Sequence, residues 1–188
     1  MLRTLVVGYG NLDRQDDGVA FEVINTLRRR LGQALLGEQE MGQDEPENQV
    51  NSVFLIQLAP ELLEMAAEYD RVVFVDAHVQ ADIPALAWAA VRPEYTSSAF
   101  THHMTPAMFL ALLQVLYHRE PMAYLVSIRG RAFDFQRGLS DATAALVGPA
   151  TERILQLVAG PDGDPHLVTQ NRPIECKEEE YGQDPCGR

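Results

Sequence analysis

The chain has 188 residues, 46% of them hydrophobic, and a formal net charge of −12 at pH 7, which is enough for one ordinary globular domain with a substantial core. Residues 37–49 hold five acids and no base, and residues 160–188 hold seven acids against three bases, so these two stretches carry −5 and −4 and leave −3 for the rest. An acidic surface of this kind excludes nucleic acid and anionic membrane as partners, because either would need a basic face.

No apolar run approaches the ~20 residues that span a bilayer, and no basic-then-apolar leader is visible, so a soluble, cytoplasmic protein is the expectation. Residues 2–7 form an apolar run ending at Gly8, as in a buried strand. From Val19, the residues Val19, Val23, Ile24, Leu27 and Leu31 recur at helical spacing, with Arg28, Arg29 and Arg30 where cations complement the helix dipole. Residues 37–49 are aperiodic, acidic and bear Gly and Pro, and predict a surface loop. Residues 53–56 predict a second strand, 60–68 a helix with Pro60 at its tolerant start, and 71–75 a third strand running into Asp76. Residues 86–91 are a weaker strand candidate, because Ala forms strands poorly. The spacing predicts a helix over 105–117, a fifth strand over 124–128, and a long helix over 140–158 opened by Ser140 as cap. Both cysteines, Cys176 and Cys186, stand in the polar end beyond this last helix, so neither a disulfide framework nor a nucleophilic thiol is expected.

This alternation predicts a three-layer α/β/α domain over residues 1–159, its sheet five-stranded, twisted and mostly parallel, followed by a disordered acidic tail over 160–188. In such sheets, ligand sites gather beyond the carboxyl ends of the strands. That rule selects Asp16 and Asp17 after the first strand and Asp76 at the end of the third. It also draws attention to His102 and His103, just before a helix. Two carboxylates and an imidazole from three loops make an O,O,N set with open positions, suited to a divalent metal shared with another molecule. Duller readings stand beside this one: Asp16 or Asp17 capping the first helix, Asp76 bonding backbone amides, and the histidines lying on the surface. Gly8-x-Gly10 has the outline of a dinucleotide turn, but Asp13, Asp16 and Asp17 would repel a pyrophosphate.

The stretch G8-Y-G-N-L-D-R-Q-D16-D17-G18, the strand end V75-D76-A77 and the run T101-H102-H103-M104, taken in order, resemble the hydrogenase maturation endopeptidases. The resemblance covers about residues 2–158 and implies an endopeptidase that trims the C-terminus of a [NiFe]-hydrogenase large-subunit precursor after nickel insertion. By position it assigns Asp17, Asp76 and His102 as metal-binding residues, with His103 as the alternative histidine. Asp17 or Asp76 would be the catalytic base, and Gly10, Asn11 and Asp16 would shape the loop or contact substrate. It implies that nickel arrives with the substrate, that cadmium or zinc can stand in for it, and that the enzyme is a monomer. Asp13 and Ala20 depart from the common pattern without removing a ligand. The alternatives are a non-catalytic, nickel-dependent module that binds the precursor and a nucleotide-binding α/β protein.

Overall fold

The computed structural model describes residues 2–95 and 104–160. His102, His103, both cysteines and the predicted tail from 161 onward lie outside the described residues. In chain order the elements are β1 (Thr4–Tyr9), a 3-10 turn (Gln15–Gly18), α1 (Val19–Arg30) and β2 (Val50–Leu55), then a second 3-10 turn (Pro60–Leu62) leading into α2 (Leu63–Ala66). There follow β3 (Arg71–His78), β4 (Leu86–Ala90), α3 (Pro106–Tyr117), β5 (Met122–Arg129) and α4 (Asp141–Ala159). Among the described residues, no helix is long and apolar enough to cross a membrane.

The five strands lie in the order β2-β1-β3-β5-β4. The first four of these are mutually parallel, and β4 runs antiparallel to β5 at one edge. Apolar β-branched residues fill both faces, as a sheet covered on two sides requires. Val6, Val73, Val75, Val126 and Ile128 pack with Ile24 and Leu27 of α1 and Ile154 and Leu157 of α4. Leu5, Val7, Val72 and Phe74 pack on the other face against Leu62 and Leu63 and against Phe109 and Leu113 of α3. The expected three-layer α/β/α architecture is the observed one.

The helix ends follow local chemistry. Thr105 Oγ1 accepts from the Met108 amide at 3.2 Å, and Ser140 Oγ from the Thr143 amide at 3.4 Å, each satisfying one of the orphan donors of a first turn. The helix predicted over 60–68 is split, its first residues forming a 3-10 turn from Pro60.

The acidic stretch 37–49 is a loop, as expected, but one fastened to the sheet. The Phe54 amide of the outer strand β2 donates to the Met41 carbonyl at 2.8 Å. Gly42 lies so close beneath (φ +97°) that a Cβ there would come within 2.6 Å of the Ser52 carbonyl oxygen. Asp44 Oδ1 accepts from Arg3 at 2.8 Å, from Asn51 at 3.1 Å and from the Tyr69 hydroxyl. Burial and then that carboxylate push the Tyr69 hydroxyl well above its ordinary value, so the bond keeps its proton.

Candidate functional site

Because β1, β2, β3 and β5 are parallel, their carboxyl ends share one rim. Beyond β1 the chain turns sharply at Gly10 (φ +147°), where a Cβ would stand 2.0 Å from the Asp17 carbonyl oxygen. Only glycine tolerates that approach. In a pyrophosphate-binding turn this glycine leaves its backbone open to the ligand; here Asp17's own backbone takes up the space. The Asn11 amide donates to Asp17 Oδ2 at 2.8 Å, and Asn11 Oδ1 accepts from the Asp13 amide at 2.9 Å. These contacts fold the loop back on itself. Gly10 and Asn11 thereby hold the loop in this folded-back course.

Asp76 ends the apolar run of β3 on the face it shares with Phe74, because side chains alternate along a strand. Burial raises its carboxyl, bonds from the Tyr9 hydroxyl and the Ala77 amide lower it, and the negative charge of Asp17 raises it; the outcome is about 7. Asp17, in the 3-10 turn after β1, and Asp76, in the last residues of β3, thus come from two separate elements and repel one another across the rim. Tyr9 is the contributor that the sequence reading missed. Its place at the end of β1, beside the end of β3, was the available signal, since neighbouring parallel strands bring their last residues together. His78, two residues beyond Asp76 on the same face, was not in the predicted ligand set either; burial holds its imidazole below the ordinary value.

Asp16 turns the other way. It is fully buried, and its carboxylate accepts from the amides of Arg131, Ala132 and Ser140 at 2.7, 2.9 and 2.7 Å and from the Ser140 hydroxyl at 2.8 Å. The Thr143 hydroxyl, at 2.9 Å from Asp16 and 3.0 Å from the Arg129 carbonyl, shares its single proton between them. Burial would raise this carboxyl, but the surrounding donors prevail and hold it at about 2. Neither aspartate caps α1, whose capping residue is Gly18 with no side-chain bond. Asp16 sits instead at the amino end of α4, where a negative charge complements the dipole.

His102 and His103 lie outside the described residues, and among the described residues no cluster of three His, Cys, Asp or Glu side chains gathers to hold an ion. The following residues define where that segment returns. Phe109 stacks edge-on against Phe74 at 5.7 Å, while Arg119, just past the far end of α3, bonds the Ala67 carbonyl near the start of β3. The amino end of α3 therefore points to the rim that holds Asp76.

The fold and rim define a doubly wound α/β protein whose first loop carries carboxylates where related outlines carry phosphate-binding amides. No family model and no curated protein matches the chain. Among solved structures it is similar to the hydrogenase maturating endopeptidase HybD from E. coli, with TM-score 0.59 and 23% identity over 82% of this chain and 91% of that one. It is also similar to the [NiFe] hydrogenase maturation protease HybD from Thermococcus kodakarensis, with TM-score 0.59 and 19% identity over 84% and 99%. A hydrogenase 2 maturation peptidase from Thaumarchaeota archaeon SCGC_AB-539-E09 gives 0.54 and 16% over 84% and 98%. The fold is that of the hydrogenase maturation proteases.

Proposed function

We propose that the chain is an endopeptidase that removes the C-terminal peptide of a [NiFe]-hydrogenase large-subunit precursor after nickel insertion, and that it recognises the substrate by the nickel already bound there. The observation that carries this reading is the pairing of Asp17 and Asp76 at the rim of this fold. Two carboxylates held within each other's field, bonded by the Asn11 amide on Asp17 and by the Tyr9 hydroxyl and Ala77 amide on Asp76, are suited to receive a positive charge brought from outside.

In this reading Asp17, Asp76 and His102, or His103 in its place, occupy the coordination positions that the substrate's thiolates leave open. Oxygen and imidazole ligands hold nickel less tightly than thiolates do, so the metal identifies the precursor and stays with it; cadmium or zinc would serve the same contacts. For cleavage, the oxygen of a water adds to the scissile carbonyl carbon while its proton passes to the carboxylate of Asp17 or Asp76. That proton then goes to the departing amine as the C–N bond breaks. Gly10 and Asn11 keep Asp17 in place, and Tyr9 does so for Asp76. The enzyme so described is cytoplasmic and monomeric, the latter checked by its elution volume.

The test is to incubate the purified protein with nickel-loaded precursor and follow the precursor's mass. Loss of the C-terminal peptide with nickel, and none without it, is the expected result. A nickel-loaded precursor that keeps its full mass overturns the reading.

A further inference from the structure

Asp17 sits in a turn that does not hold its shape unaided. Gln15, two residues before it, stands at φ +46°, a left-handed conformation that residues other than glycine adopt at a cost and that persists only where the surroundings enforce it. The enforcement comes from residues 131–143, which run from just past β5 into the first turn of α4. The Gln15 amide donates to the Gln136 carbonyl at 2.8 Å and the Asp16 amide to the Ala132 carbonyl at 3.1 Å, while Gln15 Oε1 accepts from the Asp134 amide at 3.2 Å. Successive side chains of a 3-10 turn point about 120° apart. With Asp16 drawn inward by its ring of donors, Asp17 is therefore turned another way, to where its carboxylate meets the Asn11 amide and the field of Asp76.

The most distant member of that ring is Thr143, in the first turn of α4 and 127 positions from Asp16 in sequence. Both residues are fully buried. The Thr143 Oγ1 lies 2.9 Å from Asp16 Oδ2, 3.0 Å from the carbonyl oxygen of Arg129, the last residue of β5, and 3.2 Å from Ser140 Oγ. One hydroxyl thus joins three elements: the end of β5, the start of α4 and the turn that carries Asp17.

We infer that Thr143 is a positioning residue for Asp17, acting on the site through Asp16 and without touching substrate itself. Its hydroxyl keeps the Asp16 carboxylate engaged, and the engaged carboxylate keeps the turn in the course that presents Asp17 at the rim. The ring grips one side of the turn and the Asn11 amide the other, so loosening the ring lets the Asp17 carboxylate leave Asn11. The consequence for turnover rests on the peptidase reading; the clamp itself does not. Valine in place of Thr143 keeps the branched shape and removes the donor, whereas serine keeps the donor and removes only a methyl group.

The experiment uses the full-length protein and reads two things: the NMR signal of the Asn11 amide, which reports where the Asp17 carboxylate stands, and the processing of nickel-loaded precursor. In Thr143→Val the Asn11 amide proton should move upfield, as an amide does on losing a hydrogen bond, while the amides of α2, on the opposite face of the sheet, keep their shifts. Its kcat/KM on nickel-loaded precursor should fall about tenfold, as a displaced reacting group entails, with affinity for nickel-free precursor within about twofold of the wild type. Thr143→Ser should restore both. Ser140→Gly keeps the amide that bonds Asp16 and removes only the hydroxyl at 2.8 Å; it should act in the same direction, and it carries the test if the valine variant does not fold. An unmoved Asn11 amide in Thr143→Val and Ser140→Gly, a serine variant as impaired as the valine one, or equal weakening toward nickel-loaded and nickel-free precursor overturns the positioning role. A moved Asn11 amide in the variants, beside a wild type that leaves nickel-loaded precursor uncut, overturns the peptidase reading and leaves the role of Thr143 standing.

Discussion

Replacing Asp16 by Asn separates what the charge of this buried group does from what its shape does. The amide matches the carboxylate in size, but it carries no charge and turns an NH2 group toward a ring of donors: the Arg131, Ala132 and Ser140 amides and the Ser140 hydroxyl. The carboxyl is held at about 2 against an ordinary 3.8, a displacement equivalent to roughly 2.5 kcal/mol of folding stability. The folded value lies below the unfolded one, so this contribution is complete above about pH 5, is roughly halved near pH 3 and is lost below about pH 2. With the misplaced NH2 group added, Asp16→Asn should lose roughly 2.5–4 kcal/mol at pH 7, or about 5–15 °C in Tm. Urea titrations of both proteins at pH 7, 5 and 3 measure it, and the gap should narrow between pH 5 and 3. A variant as stable as the wild type at pH 7, or a gap indifferent to pH over that range, would refute the reasoning.

Other outcomes follow from the same contacts. Asp76→Asn removes a carboxyl raised to about 7; because that value lies above the unfolded one, its ionisation opposes folding increasingly from about pH 4 to pH 7. The metal-free variant should therefore melt above the wild type at pH 8 and level with it at pH 4, while mass spectrometry finds the nickel-loaded precursor unprocessed. Gly10→Ala forces a Cβ to within 2.0 Å of the Asp17 carbonyl oxygen and should lose about 2–3 kcal/mol together with processing; chemical denaturation and the precursor assay read the two effects. His102→Ala should stop processing and His103→Ala should leave most of it, as gel assays of precursor and product will decide; the reverse pattern moves the ligand by one residue.

Much of the architecture could be read from local pattern. Continuous apolar runs such as 71–75 mark strands covered on both faces, and Thr105 and Ser140 announce helix starts that the hydrogen bonds repeat. Asp17 and Asp76 were reachable by the rule that sites form beyond strand ends. What local pattern could not show were pairings between residues far apart in sequence. Asp16 bonds partners 115 to 127 positions away, and no periodicity near Asp16 reveals whether it will cap α1 or brace α4. Tyr9 reads as one more apolar strand residue until β1 and β3 lie side by side. The acidic loop reads as solvated charge because the feature that docks it, the buried Tyr69 hydroxyl beside Asp44, is 25 positions away.

The docked acidic loop has a consequence beyond its own placement. An open strand margin invites another molecule's backbone to zip onto it, the first step toward polymerising sheets. Along β2 that invitation is withdrawn twice, by Met41 taking up the Phe54 amide and by five closely spaced negative charges that repel a second copy of the same chain. The acidity of this loop thus also acts against association between crowded copies of the protein.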